Sequence, residues 1–197
     1  MKKFIVGALV AAASAAAVAQ APVRIRGTVE SLDGSMLTVK ARNGETMKVK
    51  LDDKLVVMGI HKASVSDIAS GKFIGTTTVG QRDGALVAEE VHIFPEDMRG
   101  TGEGHRDWDL RPDSKMTNAN VANIVGMAGE RVITVQYKGG EKKILVTPKT
   151  VVVTYAPAER GELKPGAPVF INAQREADGT LTAPRVNVGL NGQVPPM

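Results

Sequence analysis

The chain consists largely of short runs in which apolar and polar side chains alternate, with turn dipeptides between the runs. One face of the first run carries Val23, Ile25 and Val29, and the other face is mostly charged or hydroxyl-bearing. Period-two alternation of this length is typical of a half-buried β-strand. The dipeptides Asp33-Gly34 and Asn43-Gly44 supply the positive-φ positions that tight hairpins need. The pattern therefore predicts an all-β protein that begins with a three-stranded meander.

The rest of the first half completes a small β unit. The second and third strands of the meander have their apolar sets within 37–41 and 47–51. A polar stretch at 62–70 predicts one or two helical turns, and strands are predicted at 73–79 and 86–94. One helical turn before a final hairpin is compatible with a five-stranded Greek-key barrel.

The same order of segments returns in the second half of the chain. Residues 37–39 match 133–135 at a spacing of 96, and residues 83–86 match 178–181 at a spacing of 95. A unit of roughly 70 residues buries only about 60% of its unfolded surface, so closing the sheet is the economical way to remove exposed edges. We predict two tandem small OB-like Greek-key barrels joined by a partly ordered linker. A two-sheet sandwich built from both units is the alternative.

The N-terminus predicts export. Residues 1–3 are Met-Lys-Lys, 4–13 are mostly apolar, and 17–19 are Ala-Val-Ala, which together are typical of a cleaved signal peptide. An uncleaved membrane anchor is the alternative. We expect a periplasmic or secreted protein with no transmembrane segment after cleavage. The predicted segments are a signal peptide 1–19, a first OB-like β-barrel 22–94, a Gly-rich linker 95–121, a second OB-like β-barrel 122–190 and a C-terminal tail 191–197.

Composition removes several kinds of chemistry. The chain has no cysteine, which excludes a disulfide framework and a thiolate nucleophile. Its 25 Lys and Arg residues face 21 Asp and Glu residues, and loss of Lys2 and Lys3 with the signal peptide nearly balances them. Any electrostatic recognition must therefore depend on local clusters of charge.

The linker carries the least repetitive sequence in the chain. Residues 102–110 read Gly-Glu-Gly-His-Arg-Asp-Trp-Asp-Leu and include the only Trp, and 114–118 read Ser-Lys-Met-Thr-Asn. With the signal peptide and the paired β units, these segments resemble a bacterial family of secreted OB-like domains of unknown function, often present as tandem copies. Members are often labelled as metal-transporter permeases, a label that does not fit a chain without spanning segments. The resemblance implies the fold and implies no catalytic residues.

The sequence does not favour an enzyme. There is no GxSxG motif, and the carboxylate pair Glu89-Glu90 points to opposite faces of a strand. His92 lies between two apolar strand positions, which predicts an outward, solvent-exposed imidazole. We expect a non-catalytic binding or structural module without a cofactor.

A periplasmic metal-handling protein of the copper type is the alternative function. It would use His, Met and carboxylate ligands, and His105 is the best single candidate although no three ligands cluster in the sequence. If the linker packs on a barrel to form a site, the candidate residues in it are Glu103, His105, Trp108 and Asp109.

Strand parity also predicts a basic face on the first barrel. Its members alternate with inward apolar residues on three successive strands and are Arg24, Arg26, Lys40, Arg42, Lys48 and Lys50. Such a face would contact an acidic protein, an anionic glycan or a lipid phosphate. Protection of sheet edges by Lys and Arg is the alternative reading. Nucleic acid is not expected, because the sheet surface lacks the aromatic platforms on which bases stack.

Overall fold

The computed structural model describes residues 21–127 and 129–196, so the predicted signal peptide 1–19 lies outside the described residues. The described chain is 63% strand, which confirms the all-β barrel prediction. Single 3₁₀ turns lie at Val65–Asp67, Glu96–Met98 and Arg160–Glu162. The strands are β1 (Val23–Asp33), β2 (Met36–Ala41), β3 (Thr46–Lys62), β4 (Phe73–Arg82), β5 (Ala85–Ile93), β6 (Gly104–Asp107), β7 (Ser114–Met127), β8 (Glu130–Tyr137), β9 (Gly140–Val146), β10 (Val151–Pro157), β11 (Pro168–Arg175) and β12 (Leu181–Gly189).

Five strands close into one barrel, which we call barrel A. Its strand order is β1-β2-β3-β12-β11, and β11 pairs back onto β1. The β3–β12 pair is parallel and the other pairs are antiparallel. Ring closure leaves no unpaired edge strand, which is the physical advantage expected of a small β unit.

A second set of five strands has the same order, and we call it barrel B. Here β7-β8-β9 form the meander, β5 pairs with β9 in parallel, and β4 pairs with both β5 and β7. Strand β10 lies between the two sets, antiparallel to β3 and parallel to β5. The meander and the final hairpin of each barrel therefore come from different halves of the chain.

This exchange differs from the prediction of barrels contiguous at 22–94 and 122–190. The physical reason is the length of β3, a single strand of 17 residues that spans about 55 Å. Its first part pairs with β2, whereas its last part pairs with β10 and carries the chain to barrel B. Sequence alternation is the same whichever meander a hairpin joins, so it could not distinguish the two pairings.

Corresponding pairs in the final hairpins of the two barrels are related by one shift along the chain. Gly75 pairs with His92 in barrel B, and Phe170 pairs with Asn187 in barrel A, so both members shift by 95 positions. In the central β3–β10 pair, Ile60 faces Tyr155. These correspondences relate the barrels by an approximate twofold axis beside that central pair.

Three apolar cores result from this arrangement. Barrel A is filled by its own strands together with Leu163, and barrel B by its strands together with Ile68. The third core lies between the barrels and contains most of the aromatic side chains; its buried members are Met58, Ile60, Phe73, Phe94, Met98, Val153, Tyr155 and Phe170. Each fully buried large apolar side chain stabilises the fold by about 1.5–3 kcal/mol.

The predicted linker 95–121 is ordered, and part of it is strand. Met98 packs in the third core, and β6 pairs with the beginning of β7. Residues 114–121 belong to β7, the first strand of barrel B. Sequence reasoning did not predict this strand because many of its residues are polar. β6 and the third core cover its outer face, so the strand does not show the simple alternation of a strand with one face in a barrel and the other in solvent.

Candidate functional site

A cavity of about 220 Å³ lies where barrel A, barrel B and the linker meet. Strands β5 and β7 supply its barrel B wall, β11 and β12 supply its barrel A wall, and Tyr155 of β10 lies near the axis. Residues 98–108 cover it from the linker side. The cleft thus lies at a junction of structural units, where ligand sites are most often found.

The barrel B wall contains a buried polar cluster. Glu90 and His92 are each 1% exposed, and the His92 Nε2–H donates to Glu90 Oε1 over 2.7 Å. Thr77 Oγ1 donates to the same carboxylate oxygen over 2.7 Å. Tyr155 O–H lies 3.4 Å from His92 Nδ1. Buried polar groups of this kind are stable only when they are hydrogen-bonded to one another.

Burial and the nearby Glu90 carboxylate raise the pKa of Tyr155 well above its ordinary value. Both causes disfavour the phenolate, since one removes solvation and the other adds a like charge. The phenol therefore keeps its proton and serves as a hydrogen-bond donor at the floor of the cleft.

The prediction of a solvent-exposed His92 is wrong. The imidazole does lie on the outer side of barrel B, as strand parity required, but β10 and the third core cover that side. Parity along a strand identifies which face a side chain occupies and does not reveal what packs on that face.

Asn118 contributes an acceptor that has no hydrogen-bond partner. Its Nδ2 donates to the carbonyl oxygen of Thr101 over 2.8 Å, which fixes the orientation of the amide. Its Oδ1 is buried without a partner. Gly75 is required beside it, because a Cβ at that position would lie 2.7 Å from Asn118 Oδ1 and 3.0 Å from the Phe94 ring.

The linker wall is organised around Trp108, which stacks with arginines. The Arg24 guanidinium lies 4.1 Å from the Trp108 ring centroid, and Arg106 lies 5.6 Å from it. Asp109 forms ion pairs with Arg24 at 3.2 Å and with Arg26 at 2.7 Å. Cation–π contacts of this kind contribute about 0.5–2 kcal/mol each, depending on solvent exposure.

The cleft carries an excess of positive charge. Burial and the nearby Arg24 lower the pKa of Arg106. Neither Arg106 nor Arg185 has a carboxylate partner in the described part of the chain, although both line the cavity. Beside the cleft, Asp109 pairs with both Arg24 and Arg26.

Burial raises the pKa of Asp109, but hydrogen bonds and charge from Arg26 and Arg24 lower it by more, and the net pKa is below its ordinary value. The carboxylate is therefore ionised at neutral pH. Because its charge is already committed to two arginines, it does not neutralise Arg106 or Arg185.

The structure divides the predicted basic face. Arg24 and Arg26 turn toward Trp108 and Asp109, and their side chains are 25% and 13% exposed. The other four members stay on the exposed outer surface, where Arg42 donates to the carbonyl oxygen of Pro195; these four are Lys40, Arg42, Lys48 and Lys50.

The predicted linker site is also divided. Trp108 lines the cleft and Asp109 pairs with arginines beside it, whereas Glu103 and His105 contact barrel B. Glu103 Oε1 accepts the Lys138 backbone N–H over 2.9 Å. His105 Nδ1 lies 2.8 Å from Thr117 Oγ1. Burial, followed by the charges of Lys142 and Lys115, lowers the pKa of His105.

Within the ranges 21–127 and 129–196, no group of three or more His, Asp or Glu side chains is placed to hold a metal ion. The cations around His105 further disfavour a second positive charge there. The metal-handling alternative therefore gains no support from side-chain geometry in this part of the chain.

No family model, curated protein or solved structure matches the chain. The resemblance to secreted OB-like domains stays a prediction. Among the described residues, no helix has the length and apolarity needed to cross a membrane.

A larger groove of about 490 Å³ lies beside Glu162–Ala167 and Gly189–Gly192. Its Lys164 is paired with Glu162 at 3.7 Å, and no aromatic side chain lines it. The smaller cleft is the stronger candidate because its cations lack carboxylate partners and its walls are aromatic.

Sequence reasoning missed most of the cleft lining, including Arg106, Asn118, Tyr155 and Arg185. A signal was present in the spacing of the two halves, because the 95-residue shift places Arg185 at the position of Glu90 and Asn187 at that of His92. Polar residues at matching outward positions of two strands indicated that these faces meet something other than solvent.

Proposed function

We propose that this protein is a non-catalytic periplasmic binding module that holds a small anionic ligand in the cleft between its two barrels. The observation that carries this proposal is the pair Arg106 and Arg185, which line one cavity without a carboxylate partner among the described residues. An anion bound between them would supply the missing countercharge.

The electrostatics of the cleft favour this class of ligand. Arg106 is partly withdrawn from water and is repelled by Arg24, and both effects are relieved when an anion enters. Guanidinium groups present parallel N–H donors that match the two oxygens of a carboxylate or a phosphate. Arg106 is half-buried, so its contact with an anion is worth more than it would be on an open surface.

The polar groups of the cleft favour binding over catalysis. The Glu90 carboxylate is 1% exposed and does not line the cleft, and its Oε1 accepts hydrogen bonds from Thr77 and His92. Thr101 is the only lining residue in the described chain with an aliphatic hydroxyl, and that hydroxyl donates to the Met98 carbonyl oxygen over 2.7 Å. A carboxylate withdrawn from the cleft and a committed hydroxyl do not form an activated nucleophile.

Location and ancestry are parts of the same proposal. The periplasmic location rests on the signal-peptide pattern of residues 1–19. Descent from two tandem OB-like units is supported by the shift of 95 positions that relates the final hairpins of the two barrels. Duplication would account for a cleft with two walls of the same topology.

Fluorescence of Trp108 can test binding, because this single Trp forms part of the cleft wall. The chain without residues 1–19 is titrated with acetate, benzoate and inorganic phosphate, and with glucose as a neutral control. We expect saturation by at least one anion and recovery of that anion chemically unchanged. Arg185→Gln should weaken binding at least tenfold, as expected for loss of a charged hydrogen bond.

Arg175→Gln is the matched control, because Arg175 is an exposed arginine on the neighbouring strand β11 and does not line the cleft. It should leave the affinity unchanged. The cleft proposal fails if no anion saturates the signal. It also fails if charge reversal of Lys40 and Lys48 abolishes binding while Arg185→Gln does not, a result that would assign recognition to the exposed basic face.

A further inference from the structure

The walls of the cleft are built from flat side chains. Phe94 and Tyr155 stack with ring centroids 5.3 Å apart and planes 11° apart. Trp108 and Phe170 contribute further ring surface to the same cavity. Aromatic walls favour a flat apolar body, which can pack face to edge or in an offset stack.

The lining of the cleft includes donors for negative charge. Arg106 and Arg185 supply guanidinium N–H groups, and the buried Trp108 Nε1–H has no acceptor in the described chain. A buried donor without an acceptor has lost its hydrogen bond to water and has gained none in return. The oxygens of a carboxylate would satisfy this indole N–H and the arginines together.

The lining of the cleft also includes an acceptor. Asn118 is 5% exposed, and its Oδ1 lacks a donor because its Nδ2 is committed to Thr101. The amide cannot turn over without placing Oδ1 against the Thr101 carbonyl oxygen. A ligand that supplies an O–H or N–H group at this point would gain the hydrogen bond that the protein leaves unmade.

The volume limits the size of the ligand. About 220 Å³ is below the roughly 300–1,000 Å³ of sites for drug-sized molecules, so one ring with small substituents is the appropriate scale. We propose that the cleft recognises a single-ring aromatic carboxylate with a hydroxyl or amine donor on the ring. Arg106, Arg185 and Trp108 would bind the carboxylate, and Asn118 would accept the hydrogen bond from the ring substituent. This inference rests on the proposed function and specifies its ligand.

Calorimetric titration of the chain without residues 1–19 can test the ligand class with benzoate, 3-hydroxybenzoate, 4-hydroxybenzoate and the two matching methoxybenzoates. We expect one hydroxybenzoate to bind about fivefold to tenfold more tightly than benzoate, as expected for one hydrogen bond to a buried acceptor. Its methoxy counterpart, which lacks the donor, should show no gain.

Asn118→Ala distinguishes a specific hydrogen bond from general polarity. In this variant, benzoate and the preferred hydroxybenzoate should bind equally, while the Arg185 requirement persists. If Asn118→Ala fails to fold, Asn118→Asp can be measured with the same ligand pairs. The carboxylate at 118 should then weaken both ligands by repulsion of their carboxylates and keep a preference for the hydroxyl.

The outcomes separate the two proposals. If benzoate binds in an Arg185-dependent manner and neither hydroxyl improves it, the donor inference is wrong and the anion-binding function stands. If phosphate or acetate binds and no aromatic acid does, the inference that the ligand contains an aromatic ring is wrong. If no anion binds, both proposals are wrong.

Discussion

The two walls of the cleft occupy equivalent places in barrels of the same strand order, yet their chemistry is opposite. Barrel B carries Glu90 and Gly75, and barrel A carries Arg185 and Phe170 at the positions related by the 95-residue shift. Glu90 is buried within a hydrogen-bonded cluster, whereas Arg185 is exposed to the cavity. Identical backbone topology therefore does not produce two identical sites.

The difference shows how strand exchange creates a site. Each barrel contributes its outer surface to a shared interface, so outward positions become buried without any change in the barrels themselves. One wall then became a closed polar cluster, and the other became a charged lining. A contiguous pair of barrels would leave these positions on separate surfaces.

Cutting the chain in the linker should have the largest effect, because it tests whether the two barrels exchange strands. We expect fragments 20–102 and 103–197 to lack a folded monomer when they are expressed separately, because each contains the meander of one barrel and the closing hairpin of the other. Mixed in equal amounts, they should form one folded 1:1 complex. Circular dichroism and size-exclusion chromatography measure both results. A stable folded monomer from either fragment would contradict strand exchange.

Removing the charged residue from each wall should lower the free energy of unfolding by unequal amounts. Glu90→Ala should lower the free energy of unfolding by about 2–5 kcal/mol, because the buried donors of Thr77 and His92 lose their acceptor. Arg185→Ala should change it by about 0.5 kcal/mol or less, as expected for an exposed side chain. Urea denaturation measures both values. Similar losses for both variants would show that the walls are not functionally distinct.

Gly75 of barrel B corresponds to the bulky Phe170 of barrel A, so adding one methyl group at Gly75 tests how tightly the barrel B wall is packed. Gly75→Ala should destabilise the fold by about 1–3 kcal/mol, because the Cβ would clash with Asn118 Oδ1 and Phe94. Gly126→Ala is the matched control, since nothing lies within 4 Å of its added Cβ. Thermal unfolding should show a large shift for the first variant only. Equal behaviour of the two variants would argue against tight packing around Asn118.

The smallest expected effect concerns the ion pairs of Asp109. Its folded-state pKa is lowered, so its contribution to stability is present above the unfolded pKa of about 3.9 and disappears as pH falls through the folded pKa. Asp109→Asn should therefore be less stable than the natural chain at neutral pH and equally stable in acid below both values. Urea midpoints measured from pH 2 to pH 7 provide the comparison. A constant difference across that range would contradict the ion-pair assignment.

Local structure was predictable from the sequence because its signals are local. The alternation of Ile25, Val29 and Leu37 identified core positions that the structure confirms. The Asp33-Gly34 turn joins β1 to β2 as its conformational preference indicated. The helical turn within 62–70 is also present. Each of these features depends on residues that are close together in the chain.

Long-range pairing and the cleft were not predictable in the same way. The apolar face of β4 would fit either meander, so the exchange depends on the continuous length of β3. His92 and Tyr155 are 63 positions apart and meet only because β10 joins the barrels. The parity rule identified the outward side of His92 and failed on its burial, which depends on that joining strand.

Interstrand nuclear Overhauser contacts in isotope-labelled protein test the exchanged fold most directly. Strand exchange places Ile25 of β1 opposite Ile171 of β11. A barrel contiguous over 22–94 would instead place Ile25 opposite Thr76 of β4, which is the residue equivalent to Ile171 under the 95-residue shift. We expect backbone contacts between Ile25 and Ile171 and none between Ile25 and Thr76. The reverse pattern would contradict the exchange and, with it, the shared cleft.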